Sequence, residues 1–214
     1  MNAAISAKPS PNPLPVAGII PFSVTDWPGK ITVTAFTQGC PLRCFYCHNP
    51  QLQPFAPAAY NFDDVLAVAT TRRKLIDALV ISGGEPTAVS GLGDAIAASH
   101  AAGFPIGLHT CGYRPQVITA LLARPETTPD WVGLDIKALP KDMYEVTGIH
   151  ATAANRVWDS LAALSRAEVP LQVRTTVWRG GAVEKHLPEL QRRLTNLGHD
   201  LVIQQARRMD GSFI

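Results

Sequence analysis

Residues Ile31-Thr32-Val33-Thr34-Ala35-Phe36-Thr37 run without a break into Gln38-Gly39-Cys40-Pro41-Leu42-Arg43-Cys44-Phe45-Tyr46-Cys47-His48-Asn49-Pro50. The first part is short, apolar and β-branched, and reads as a strand. The second is a loop that carries three thiols. The same pairing recurs along the chain. Further β-rich runs lie at residues 78–82, 105–109, 131–136, 171–177 and 201–203. Ser82-Gly83-Gly84-Glu85-Pro86 and His109-Thr110-Cys111-Gly112 follow two of these runs, and Asp135-Ile136-Lys137 closes a third. Arg174 and Thr176 lie towards the end of the next, and Gln204-Gln205 follows the last. Helical patterns fill the intervals at 62–71, 91–102, 114–122, 153–167 and 185–197. The last of them places Leu187, Leu190, Leu194 and Leu197 at helical spacing. Asp63, Thr152 and nearby polar residues are the expected caps and Gly198 an expected stop.

Strand and helix alternating in this way imply a parallel sheet with helices outside it. The stretch 18–214 is shorter than the about 250 residues of a closed eight-fold barrel. It suits five to six βα units, so the expected fold is α/β: an incomplete, open parallel β/α barrel. A flat doubly wound sheet is the alternative, although no Gly-x-Gly-x-x-Gly follows the first strand. On either frame the unusual polar residues fall at or near the carboxyl ends of strands, where parallel α/β folds place their sites.

Composition excludes several classes. Of 214 residues, 46% are hydrophobic and 17% charged, enough apolar surface to offset the entropy of ordering a core. Residues 1–17, with Pro9, Pro11, Pro13 and Pro15, read as a flexible Pro-rich tail ahead of one domain over 18–214. That start has no apolar segment of the kind a secretory signal needs, and no run is long enough to span a membrane, so a cytoplasmic location is expected. The net charge of +2 is too balanced for a nucleic-acid binder.

Cys40, Cys44, Cys47 and Cys111 are the four cysteines, and three of them form Cys-x3-Cys-x2-Cys. Random placement of four cysteines gives that pattern roughly once in 2,000 sequences, so the motif calls for a chemical reason. A structural zinc site needs four ligands, and the fourth candidates here are His48, adjacent to Cys47, and the distant Cys111. An iron–sulfur cluster is held by thiolates, and three of them leave one iron open to a small molecule. Gly83-Gly84-Glu85-Pro86 is either an ordinary tight turn or a bare backbone that lets a ligand approach. Asp135 and Lys137 stand two apart on a strand and so share a face. They form either a structural ion pair or a clamp for the ammonium and carboxylate of an amino-acid group. Trp27-Pro28-Gly29 reads only as a turn before the first strand, and Cys111 as a small buried hydrophobe.

Residues 37–50, Thr37 through Pro50, resemble the cluster loop of radical S-adenosylmethionine enzymes, and Gly83-Gly84-Glu85-Pro86 resembles the methionine-binding turn of that superfamily. More narrowly, the chain resembles the activating enzymes of glycyl radical enzymes, and among these the activating proteins of anaerobic ribonucleoside-triphosphate reductases. The residues that carry this are Ser23-Val24-Thr25-Asp26-Trp27-Pro28-Gly29, Cys47-His48-Asn49-Pro50 and Asp135-Ile136-Lys137. The likeness extends from about Gly18 to Gln205.

The resemblance implies a radical-SAM-type barrel in which Cys40, Cys44 and Cys47 hold a [4Fe–4S] cluster. Its open iron chelates the amino and carboxylate groups of S-adenosylmethionine. Tyr46 would offer backbone contacts to the adenine, Gly83, Gly84 and Glu85 would line the methionine amino group, and Asp135 and Lys137 would face the amino group and the carboxylate. His186 is similar to a histidine that some activases aim at that carboxylate. No catalytic side chain beyond the cluster and the cofactor is expected. The implied activity is reductive cleavage of S-adenosylmethionine to a 5′-deoxyadenosyl radical, which takes a hydrogen atom from a glycine of a partner. The implied partners are an anaerobic ribonucleotide reductase-like glycyl radical enzyme and a flavodoxin or ferredoxin as electron donor. One departure stands out: where many activases have Asp-Thr beside a monovalent cation, this chain has His109-Thr110. Two rivals are weighed. A small-molecule radical enzyme such as 7-carboxy-7-deazaguanine synthase usually shows Gln-Gly-Glu-Gly before the first strand and Cys-Asp after the cluster, whereas this chain has Asp26-Trp27-Pro28-Gly29 and Cys47-His48. A zinc-stapled binding module leaves the glycine turn and the Asp135–Lys137 pair unexplained.

Overall fold

The computed structural model describes residues 13–208 and 210–214. Seven strands form one sheet: β1 (Val16–Ser23), β2 (Thr32–Thr37), β3 (Ala78–Gly83), β4 (Ile106–Thr110), β5 (Trp131–Asp135), β6 (Leu171–Val177) and β7 (Leu201–Gln205). Their spatial order is their order in sequence, from β1 to β7. Strands β2 to β7 pair in parallel, and β1 pairs antiparallel with β2. A doubly wound sheet reverses its strand order at a switch point. This one never does, so the chain winds in a single sense, and with β1 and β7 at the two edges the barrel is open. The fold class expected from the sequence is the one observed, with one strand more than was read.

That extra strand, β1, corrects the expected boundary of the tail. Leu14 and Val16, inside the stretch read as flexible, are 1% and 0% exposed. Residues 1–12 of that stretch lie outside the described residues. Gly18 and Pro21 break the strand pattern in sequence. Pro21 is tolerated because β1 is an edge strand whose register shifts between Ile20 and Ser23.

The helices follow the strands: α1 (Phe62–Thr71), α2 (Leu92–Ala101), α3 (Pro115–Leu122), α4 (Met143–Thr147), α5 (Arg156–Arg166), α6 (Ala182–Lys185) and α7 (Leu187–Asn196). α1 matches its expected range, and its cap is Asn61, one of the polar residues beside Asp63. The Asn61 side chain accepts from the amides of Asp63 and Asp64, and the Asp64 carboxylate in turn accepts from the Asn61 amide. Asn155, not Thr152, is the cap residue of α5. The single helix expected over 185–197 is two, α6 and α7, meeting at His186 with Pro188 in the first turn of the second. Gly198 follows in the left-handed region at φ 81°. α4, only five residues long, has no legible period in sequence.

Alternation along the strands splits the interior into two cores. Leu79, Ile81, Leu108, Val132, Leu134 and Val173 face the helices and belong to the main core. Ala78, Val80 and Trp131 point to the concave side, where Trp27 joins them in a small second core. The turn between β1 and β2 therefore folds up into the barrel. Trp27 stacks on Trp131 with ring centroids 5.4 Å apart. Gly107 permits this, since a Cβ there would lie 2.8 Å from the Trp27 ring. No helix among the described residues is long and apolar enough to cross a membrane.

Candidate active site

Strand β2 delivers the cysteine loop to the carboxyl end of the barrel, and backbone hydrogen bonds fix it at both ends. The Gly39 and Cys40 amides donate to the carbonyls of Leu52 and Gln53 at 2.8 and 3.0 Å. The Arg43 and Phe45 amides donate to Thr147 and Val146 at 2.7 and 3.0 Å, so the unforeseen α4 is the clamp of the loop. The Arg43 guanidinium donates to the Cys40 and Leu42 carbonyls, each at 2.8 Å. Cys40, Cys44 and Cys47 are free thiols that line one cleft of about 880 Å³. Burial pushes the Cys40 thiol up to about 12 and raises that of Cys44.

Gly83 and Gly84 line the same cleft, and their lack of side chains is explained by the chain itself. Gly83 has φ 112°, and a Cβ on it would lie 2.1 Å from the Thr37 amide nitrogen. A Cβ on Gly84 would lie 2.3 Å from the Gly39 carbonyl oxygen. The turn after β3 thus packs directly on the root of the cysteine loop. Glu85 is 2% exposed. Its Oε1 accepts from the hydroxyls of Thr87 and Thr110 and from the Thr87 amide, and its Oε2 from the Cys111 amide at 2.8 Å. Its carboxylate therefore ties the β3 turn to the end of β4 while lining the cleft.

Asp135 and Lys137 share a face as expected. Lys137 Nζ stands 3.2 Å from Asp135 Oδ2, and Arg174 Nε donates to Oδ1 at 2.8 Å. Burial works against the Asp135 charge, yet Lys137 and Arg174 outweigh it and hold the carboxyl far below the usual range. For Lys137 burial likewise opposes the charge, and Asp135 more than restores it, so the ammonium is held well above its ordinary value. Lys137 Nζ lies 5.8 Å from the centre of the Tyr46 ring, which also packs on Trp178 at 5.4 Å. The Tyr46 hydroxyl is buried with no partner at hydrogen-bond geometry among the described residues, and burial raises its pKa.

Three groups depart from expectation. His186 is not brought to the cleft: its Nδ1 meets Asp142 Oδ2 at 2.8 Å and ties the start of α7 to that of α4. His109, which replaces an expected carboxylate, contacts the Asp26 carbonyl through Nε2 at 2.6 Å and Ser82 Oγ through Nδ1 at 3.3 Å. A carbonyl only accepts, which places the ring proton on Nε2. Burial, reinforced by the Arg174 charge, lowers His109 to about 4 and keeps it neutral. Arg174 is 7% exposed and lines the cleft. Its sequence signal was position alone, a cation two before Thr176 on an inward face. Thr25 and Asp26 also reach the cleft, because the Trp27 turn folds inward. Gln204, Gln205, Ala206, Arg207 and Phe213 complete its wall.

The donor set, three free thiols of one loop, is of the kind that holds an iron–sulfur cluster. Among the described residues no three His, Cys, Asp or Glu side chains converge at metal-binding distance, so chemistry decides. The three thiols share a cleft with the Asp135–Lys137 ion pair.

Comparison with known proteins agrees. The chain is 32% identical over 123 residues to a Methanocaldococcus jannaschii protein provisionally named a glycyl-radical enzyme activating enzyme, a match covering 57% of this chain and 50% of that one. It is 49% identical over 43 residues to the benzylsuccinate synthase activating enzyme of Thauera aromatica, covering 20% and 13% of the two. The chain thus matches about half the length of the first relative and a small part of the second. Among solved structures, SuiB of Streptococcus suis bound to S-adenosylmethionine superposes with a TM-score of 0.60 at 14% identity, over 83% of this chain and 39% of that one. QueE from Escherichia coli superposes with a TM-score of 0.51 at 18% identity, over 90% and 94%. At these identities the structures speak for the fold alone. The model of the radical SAM superfamily matches residues 34–187, from the middle of β2 to the start of α7, and the chain belongs to that superfamily.

Proposed function

We propose that the protein is a glycyl radical enzyme activase that uses a [4Fe–4S] cluster held by Cys40, Cys44 and Cys47 and takes S-adenosylmethionine in the cleft beside it. A cluster bound there would supply the one electron needed for reductive cleavage of S-adenosylmethionine to methionine and a 5′-deoxyadenosyl radical, the species that would take a hydrogen atom from a glycine Cα of the partner. The observation that carries this reading is the shared cleft: the three thiols, the Asp135–Lys137 pair and the Gly83-Gly84-Glu85 turn all line it. The names of the relatives support the activase class.

The chain's own residues bind and orient. Asp135 receives the ligand's ammonium, and Lys137 receives its carboxylate, each already ionised by the other's field. Gly83 and Gly84 present backbone carbonyls to the ammonium, and the Tyr46 backbone is set against the adenine. Tyr46 and Trp178 keep water from the Lys137 side. The open seam between β1 and β7 suits entry of a protein loop. The partner we infer is an anaerobic ribonucleotide reductase-like glycyl radical enzyme, with a flavodoxin or ferredoxin as electron donor.

The test is anaerobic. The reconstituted, reduced protein is given S-adenosylmethionine with and without that reductase, and the glycyl radical is read by electron paramagnetic resonance. A glycine-centred signal that requires both proteins is expected. 5′-Deoxyadenosine without any such signal would reject this partner.

A further inference from the structure

An open barrel has two free sheet edges, and this chain treats them differently. The β1 edge is blunted. Pro21 sits within it, and its register shifts between Val16 and Gly18 and again between Ile20 and Ser23. Val16 also exchanges backbone hydrogen bonds with Tyr60, at 3.0 and 2.9 Å. Such features keep natural edges from taking a further strand. β7 has none of them. Leu201-Val202-Ile203-Gln204-Gln205 holds no proline, no glycine and no charge, and it stays in unbroken register with β6 from Leu201 to Gln205. No strand among the described residues pairs with its other side.

The direction of its backbone groups follows from alternation. The Ala206 amide donates to the Val177 carbonyl of β6 at 2.8 Å. With a period of two, the Val202 and Gln204 amides point the same way, and those of Leu201, Ile203 and Gln205 point out of the sheet. The side chains are as unguarded as the backbone. Val202 is in register with Arg174 and so stands on the concave face, while Ile203 is in register with Thr175 and stands on the helix side. Each is 40% exposed. A regular, uncharged edge with an exposed apolar side chain on either face is an acceptor for another strand.

The position of the edge selects the occupant. Gln204 and Gln205, the last two residues of β7, line the cleft that also holds the three thiols. A chain paired along β7 therefore reaches the cleft without leaving the sheet. We propose that β7 accepts an extended segment of the polypeptide substrate as a further strand, and that backbone pairing at Ile203 and Gln205 delivers the adjoining glycine to the cleft. The inference rests on the proposed action on a partner's glycine and deepens it by naming how the partner docks. Main-chain hydrogen bonds would hold the segment, and Val202 and Ile203 would favour apolar residues beside them.

The test uses cluster-reconstituted protein, an anaerobic ribonucleoside-triphosphate reductase and hydrogen–deuterium exchange. We expect the reductase to slow amide exchange over residues 201–205 and to leave residues 18–24 unchanged. Ile203→Pro removes an outward N–H and no ladder bond, so it should fold, hold its iron and form 5′-deoxyadenosine alone as native protein does. Its glycyl radical formation at low reductase concentration, read by electron paramagnetic resonance, should fall roughly tenfold and recover as the reductase concentration is raised. Ile203→Thr keeps the N–H and should activate at close to the native rate. Native-like activation by Ile203→Pro, or unchanged exchange over 201–205 in a native sample that forms the radical, would overturn the proposal. So would slowed exchange that grows with the concentration of the protein alone, which would assign the edge to a second copy of this chain. If Ile203→Pro does not fold, exchange on the native protein decides. Native protein that forms 5′-deoxyadenosine and no glycyl radical would instead reject the underlying reading of the partner, and this docking with it.

Discussion

His109 at the end of β4 donates its Nε2 proton to the carbonyl of Asp26, 83 residues earlier, across 2.6 Å. One hydrogen bond thereby joins the floor turn of the barrel to the cleft wall. Asp26 also accepts from the Thr34 hydroxyl at 2.6 Å, so the turn is held on two sides.

His109 has a folded pKa of about 4 against 6.5 for the free side chain. Between those values the unfolded chain binds the proton and the folded chain does not, so stability is full above pH 6.5 and falls as the pH is lowered towards 4. We expect native protein to lose stability to urea across that window and His109→Gln, which keeps a donor for Asp26, to lose less. Parallel pH profiles for the two proteins would remove His109 from this account.

Asp135 and its two cations predict a contrast between neighbouring substitutions. Asp135→Asn leaves two buried cations facing each other and should cost about 3–5 kcal/mol of stability. Lys137→Ala leaves Asp135 paired with Arg174 and should weaken S-adenosylmethionine binding with iron content unchanged. Denaturant titration and iron analysis of both variants check this. Loss of iron from Lys137→Ala would undercut its assignment to the ligand.

Gly83 predicts a steric failure. Gly83→Ala places a methyl 2.1 Å from the Thr37 nitrogen at a φ of 112°, so the β3 turn must separate from the cysteine loop. We expect a thermal midpoint well below that of native protein and poor cluster loading. Native-like stability would mean that the turn accommodates a side chain.

Much of this was legible in sequence because it depends on local pattern. Strand β2 and helix α1 show their periods and boundaries within a few residues. The cysteine loop shows its chemistry by spacing, and Asp135 and Lys137 show their shared face by period two. What was hidden depends on long-range contact. β1 is disguised by Gly18 and Pro21, which only an edge with shifting register tolerates. Trp27 is anonymous until Gly107 and Trp131, 80 and more residues on, make its slot. Arg174 looks like any strand cation until Gly133 and a neutral His109 lock it beside Asp135. The glycine turn reads in sequence as either an ordinary tight turn or a bare backbone for a ligand, and its tightness comes from the chain's own backbone.

The central claim is that the cysteine loop supports radical cleavage of S-adenosylmethionine. The most direct measurement is 5′-deoxyadenosine formation by anaerobically reconstituted, reduced protein, beside single Cys40→Ala, Cys44→Ala and Cys47→Ala variants. The account predicts a brown native protein that forms 5′-deoxyadenosine and three variants that form none. A colourless protein that holds one zinc per chain and yields no 5′-deoxyadenosine would contradict it.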